Sequence, residues 1–179
     1  MEKKRYVIVC LIKGEALQFH EKLVDEVCSK FNVKPQRLPA HFTIKAPFEL
    51  EDVSEIENII ESFTKNRKSE GILIDGFGFF RTNVVFMKVN PSSDAKKIHD
   101  DFIKELKKVS NLEWKPNEGK EKVYHCTVVS KLREDKFQPI WEYVSNFSPK
   151  YELQFDNISI LRWENYNYRW VTDKEFELQ

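Results

Sequence analysis

PAHFTIKAPF, residues 39–48, sets His41 and Thr43 two positions apart, with apolar Phe42 and Ile44 between and after them. VYHCTVVSKL, residues 123–132, repeats the phrase with His125 and Thr127, and with Cys126 and Val128 as the apolar partners. On a β-strand, residues two apart project from the same face. His41 and Thr43 therefore point together, about 6.6 Å apart at the usual rise, while Phe42 and Ile44 turn toward a core. The second phrase reads the same way. With five threonines in 179 residues, a threonine falls two after a given histidine about 3% of the time, so two such hits among four histidines arise by chance in well under one case in a hundred.

The surrounding chain gives each phrase a similar setting. A β-branched run over 6–12 predicts a buried strand. A helix follows, with Ala16, His20, Leu23, Val24, Val27 and Phe31 at three- and four-residue steps. A strand over 41–50 leads to a helix that Ser54 can cap and that carries Ile56, Ile59, Ile60 and Phe63. Two antiparallel strands over 71–81 and 84–90 flank a turn at Thr82-Asn83. A third helix opens at 91–94 with Ala95, Ile98, Phe102, Leu106 and Val109 on one side. The order then recurs: a loop over 110–123, a strand over 124–132, a helix carrying Phe137, Ile140, Trp141 and Val144, and strands over 151–163 and 168–178 with a turn near 165–167. Each half offers a loop, a histidine-bearing strand, a helix and a strand pair. The expected architecture is α+β and bilobal: two pseudo-twofold-related antiparallel sheets lining a central cleft, with helices packed outside, in one domain over 1–179.

Composition narrows the function. With 41% hydrophobic and 13% aromatic residues, a packed core is expected and disorder is not. No apolar run approaches the roughly 20 residues of a membrane helix, and the start of the chain is charged too soon for a secretory signal. Cys10, Cys28 and Cys126 are odd in number and form no CxxC pair, which speaks against a disulfide framework or a zinc knuckle and for a reducing cytoplasm. Net charge is zero, 29 basic against 29 acidic residues. A protein tracking along long DNA carries a basic excess, so the expected partner is the end of an RNA or a small nucleotide, handled by a monomer with no membrane contact.

Two imidazoles and two hydroxyls converging on one cleft suit in-line cleavage of a phosphodiester. One histidine serves as base on the incoming oxygen and the other as acid on the leaving oxygen. The threonine hydroxyls donate to the non-bridging oxygens. This chemistry needs no metal and no cofactor. Lys45 and Lys131, read by alternation onto the same face as their histidines, are candidate phosphate contacts. Arg37, Trp114, Lys115 and Tyr124, from the loops that precede the two phrases, are candidate substrate contacts. His20 reads as a member of the apolar stripe of its helix, His99 as solvated beside Asp100 and Asp101, and Cys126 as a buried thiol.

HFTI and HCTV look like the paired signature of the two-histidine (2H) phosphoesterase superfamily, which includes cyclic nucleotide phosphodiesterases and the 2′-5′ RNA ligases. HFTIKAPFEL, GFGFFRTNVVFMKV, YHCTVVSKL and ISILRWENYNYRWVTDKEFEL resemble that family's blocks in the same order. The resemblance implies a bilobal α+β fold. It implies metal-independent opening of 2′,3′-cyclic phosphates or reversible 2′-5′ bond chemistry, with His41 and His125 catalytic and Thr43 and Thr127 binding phosphate. A noncatalytic module that grips phosphorylated RNA ends through the same four residues is the competing reading, and an esterase acting outside RNA metabolism is a third.

Overall fold

A computed structural model describes residues 2–116, 118 and 122–179. The element order is β1 (Lys4–Leu11), α1 (Gly14–Phe31), β2 (His41–Leu50), α2 (Ser54–Lys65), β3 (Glu70–Phe80), β4 (Val84–Pro91), α3 (Ser93–Leu106), β5 (His125–Val129), α4 (Glu134–Val144), β6 (Lys150–Phe155), β7 (Asn157–Glu164) and β8 (Arg169–Glu177). The strands form two four-stranded antiparallel sheets, ordered β2-β1-β7-β8 and β5-β4-β3-β6. This is the expected α+β class. No helix among the described residues is long and apolar enough to cross a membrane.

The helices follow the apolar spacing read from the sequence. Helix α1 buries Ala16, His20, Leu23 and Val27, and α3 buries Ala95, Ile98, Phe102 and Leu106. At the start of α3, the Ser92 hydroxyl accepts the amide of Ala95 at 3.0 Å, satisfying one of the orphan donors of the first turn. Helix α2 differs from expectation: Ser54 is its first residue rather than its cap, and the Asp52 carboxylate accepts the Ser54 amide instead. Behind both sheets runs one continuous apolar core, holding Ile8, Phe42 and Ile56 from one side and Ile74, Cys126 and Ile140 from the other.

The lobes are not the two halves of the chain. The first sheet takes β1 and β2 from the start and β7 and β8 from the end, while the second takes the middle strands. The expected strand over 151–163 is in fact two strands in different sheets. The break lies at Asp156-Asn157. Asn157, fully buried, turns its amide onto the end of β1, accepting from the Leu11 N–H at 2.9 Å and donating to the Leu11 C=O at 3.0 Å. A side chain that pairs both polar groups of a strand end replaces a ladder rung, so the chain changes sheets there without orphaning the backbone. Strand β5 is also shorter than expected, ending at Val129, because Lys131 takes a left-handed φ of 55° and the Leu132 amide turns back to Asn83.

Candidate active site

Strands β2 and β5 are the inner edges of the two sheets, and they carry the two phrases. Antiparallel partners share a face, so register shows what surrounds each phrase. On β1, Leu11 pairs His41 and Val9 pairs Thr43. Val9 packs with Val7, Leu161, Leu11, Leu38 and Trp170, which makes one small apolar floor. On β4, Lys88 pairs His125 and Phe86 pairs Thr127. The alternate residues Phe42 and Cys126 are wholly buried in the large core, as strand alternation requires. Phe42 lies edge-on to Tyr124, 5.7 Å between ring centroids, so the two edges pack together through their inward faces.

Each imidazole is held in the same way. His41 Nδ1 lies 2.7 Å from the carbonyl of Pro39, and His125 Nδ1 lies 2.8 Å from the carbonyl of Val123. A carbonyl can only accept, so in both rings Nδ1 carries the proton and Nε2 is left with its lone pair. Neither histidine is set for charge in the free protein. Burial pushes His41 down to about 4; the Pro39 carbonyl opposes this, and the nearby imidazoles of His125 and His20 add to it. Burial also lowers His125, and the Lys122 ammonium adds to the shift. Lys122 is itself pushed down to about 8 by burial, against the opposing pull of Glu118. Thr43 and Thr127 are half-buried beside their histidines.

Several residues that support the site carried no signal of their own in the sequence. His20 was legible only as one member of an apolar helical stripe. In the structure its Nε2 donates to the Thr127 carbonyl at 2.8 Å, tying α1 to the strand that carries the second phrase. Burial keeps His20 below its ordinary range, so it remains a neutral donor. His125 rests against Phe80 and Phe86, with ring centroids 4.8 and 5.2 Å away. Gly78 makes room for that seat: a Cβ there would stand 2.7 Å from the Phe86 ring. A Gly78→Ala protein is expected to lose about 1–3 kcal/mol from overpacking and to turn over more slowly because Phe86 must move under His125. Denaturant midpoints and kcat, measured side by side, check this.

Three expected contacts, Lys45, Trp114 and Tyr124, lie elsewhere. Lys45 does not face the cleft. A bulge between the Ile8–Lys45 and Val9–Thr43 pairs puts one extra residue into β2 and rotates Lys45 to the core face of Ile8. There it is 1% exposed, its Nζ 2.9 Å from both carboxylate oxygens of Glu118 and 4.5 Å from the Trp114 ring centroid. Glu118 also accepts the amides of Ala46 and Lys115. Burial acts to raise the Glu118 carboxyl, but the hydrogen bonds from Lys45, Lys115 and Ala46 hold it below the usual range. Trp114 is therefore a cover for this pair. Tyr124 is buried between Phe42 and His99, since it alternates with His125. His99 is 2% exposed, because α3 turns it inward against Tyr124. Arg37 and Lys131 both line a groove at the far end of the site, together with Trp163 and Trp170.

Comparison with known proteins identifies the family and matches the fold. The family model of the 2′-5′ RNA ligase superfamily matches residues 15–167. The chain is 24% identical over 182 residues to a Staphylococcus aureus (strain JH1) protein provisionally named a phosphoesterase, covering 95% of this chain and 97% of that one. Among solved structures it resembles TT0787 of Thermus thermophilus, with a TM-score of 0.67, 12% identity and 97% of each chain covered. It also resembles Escherichia coli LigT, solved with NADP+, with a TM-score of 0.62, 12% identity and 99% of each chain covered. The family match begins before His41 and runs past His125, with both phrases in place on the inner edges of paired sheets, and so the chain belongs to the 2′-5′ RNA ligase superfamily, the two-histidine phosphoesterases.

Proposed function

We propose that this protein is a phosphodiesterase that opens 2′,3′-cyclic phosphates at RNA ends or on nucleotides. The observation that carries the reading is the matched pair of imidazoles on adjacent sheet edges, each with Nδ1 fixed on a carbonyl two residues back. That arrangement supplies two Nε2 atoms whose protonation states can differ. His41, the more strongly depressed, is the base: its Nε2 takes a proton from water as the oxygen bonds to phosphorus. His125, entering as imidazolium, gives its Nε2 proton to the ribose oxygen as the P–O bond breaks. The product is a phosphomonoester, and the two imidazoles exchange protons with solvent before the next turnover. Thr43 and Thr127 hold the non-bridging oxygens, where charge must be met by fixed donors. Replacing water by a ribose hydroxyl gives ligation by the same steps; ring strain and abundant water favour hydrolysis. LigT, with the same fold, has been solved with 3′-AMP and with ATP, which supports a nucleotide as ligand here.

The test is incubation of pure protein with 2′,3′-cyclic nucleotides and with short RNAs ending in a cyclic phosphate, in EDTA. Turnover that persists in EDTA is expected; loss of turnover restored by a divalent ion contradicts the reading. The pH profile gives a sharper check. The productive form has His41 neutral and His125 protonated. In the free protein His41 loses its proton above about 4 and His125 below its ordinary 6.5. Because kcat/KM reports the free enzyme, it is expected to peak between those limits, on the acid side of neutrality, rather than near pH 7 as unperturbed histidines would give. Bound phosphate favours imidazolium, so the limbs of kcat lie at higher pH. A kcat/KM that keeps rising through pH 8 contradicts the assignment.

A further inference from the structure

The neutral total charge of the chain hides a local imbalance. A groove of about 610 Å³ runs between the segment before β2, the turn after β5 and the β7–β8 hairpin. Its walls include Lys34, Arg37, Lys131, Arg133 and Lys136, and none of the described residues lining it is acidic. Some of these cations have partners: Arg37 donates to the Tyr168 carbonyl, Lys136 to the Phe31 carbonyl, and Arg133 lies 3.5 Å from Asp135 at the exposed surface. None is neutralised by a carboxylate of the described residues inside the groove. A shallower depression continues around the same segment to Arg169 and the exposed Tyr168.

The groove also offers flat rings. Trp163 and Trp170 are cross-strand partners, 5.6 Å apart and edge-to-face, and both are partly exposed. Arg5 lies 5.7 Å from the Trp170 centroid, adding a cation beside the ring. These tryptophans share a sheet face with the catalytic phrase. Leu161, two before Trp163, pairs Val7, and Val7, Val9 and Leu161 form the floor onto which Trp170 and Leu38 pack. His41 and Thr43 pair the same face of β1. Strands lie about 4.8 Å apart, so β7 and β8 stand about 10 and 14 Å from β2 along that face. The groove joins the site at its Thr127 end as well: Gln36 Nε2 reaches the hydroxyl of Ser130, three residues past Thr127, at 3.3 Å.

Cations without carboxylates bind phosphate in a salt-dependent way. Exposed aromatic rings beside them take bases by stacking, with little regard to sequence. A membrane surface would not use the rings in a recess, and an acidic peptide would not need them. We propose that the groove walled by Lys34, Arg37, Lys131, Arg133, Trp163 and Trp170 is a subsite for a second nucleotide of a single-stranded RNA end. Its base lies on the tryptophans and its phosphate among the cations, while the terminal phosphate occupies the histidine site. The preferred substrate is thus an oligoribonucleotide end rather than a free cyclic nucleotide. This rests on the phosphodiesterase reading for what happens at the histidines, but not for what the groove binds.

The experiment is equilibrium binding to the wild-type protein of two ligands it does not turn over: 3′-AMP, and a pentaribonucleotide ending in a 3′-phosphate. The pentamer is expected to bind about 5- to 100-fold more tightly, the range that base–aromatic stacking covers. It should quench tryptophan fluorescence and steepen the log–log salt slope by about 0.7 for each added phosphate contact. Lys34→Glu/Lys131→Glu, at two exposed positions, is expected to reduce that advantage to less than about threefold, and Trp170→Leu to remove the quench. Equal affinity for the two ligands overturns the proposal. So does an abasic oligomer binding as well as the pentamer, or an advantage that survives the charge reversal. If 3′-AMP binds and the pentamer gains nothing, the groove fails and the catalytic reading stands. If the pentamer binds and 3′-AMP does not, the groove stands and the histidine site is in error.

Discussion

Alanine at either His41 or His125 is expected to lower turnover of a 2′,3′-cyclic nucleotide by about 10²–10⁴-fold, the usual worth of one positioned acid or base. The two losses should not add. Once one proton transfer is gone, the other histidine has no concerted partner, and groups that act as a unit are strongly non-additive. The double variant should therefore fall little below the worse of the two singles. Affinity for a phosphomonoester product should change much less than turnover, since the threonines and neighbouring cations remain. This separates a catalyst from a module that only grips phosphorylated ends: in the latter, His41→Ala weakens binding and there is no turnover to lose.

The second large effect lies away from the chemistry. Lys45 is an ammonium sealed in the core face of β2, compensated by Glu118 and covered by Trp114. Removing one partner of a buried ion pair leaves the other charge without compensation, at a cost of about 3–5 kcal/mol. Lys45→Met is expected to lose that much in denaturant unfolding. Because Glu118 keeps two backbone amides, Lys45→Met/Glu118→Leu is expected to recover part of the loss rather than all of it. A double-mutant cycle reads the coupling directly. The pair also ties the segment before β5 to β2, so Lys45→Met should slow turnover without Lys45 touching substrate. A Lys45 that proves neutral to stability contradicts this account of its burial.

The doubled His-x-Thr phrase carried most of what was legible. Period-two alternation placed His41 and Thr43 outward and Phe42 inward, and the same holds for His125, Thr127 and Cys126. The phrases also marked the two strands that became the inner edges of the sheets. Alternation failed where the backbone departed from a regular strand. A one-residue bulge turned Lys45 to the core, and the left-handed φ at Lys131 ended β5 before that residue could count as part of it. The sheet change at Asn157 is marked in the sequence by a shift of phase alone, apolar at Tyr151, Leu153 and Phe155 and then at Ile158 and Ile160, which a one-residue bulge within a single strand would also give. His20 and the tryptophan groove were hidden for a different reason. Their partners come from segments distant in the chain, 20 with 127 and 32–38 with 130–136, 163 and 170, and no local pattern records such a meeting.

The central claim is that two imidazoles, one from each sheet, act on one phosphorus. Following the His41 and His125 ring proton resonances by NMR while titrating inorganic phosphate or 3′-AMP tests it most directly. A single 1:1 event that shifts both rings with the same Kd, and raises the pKa of at least one, is the predicted result. A phosphate that moves one ring and leaves the other unchanged, or two sites filling with separate affinities, would contradict it.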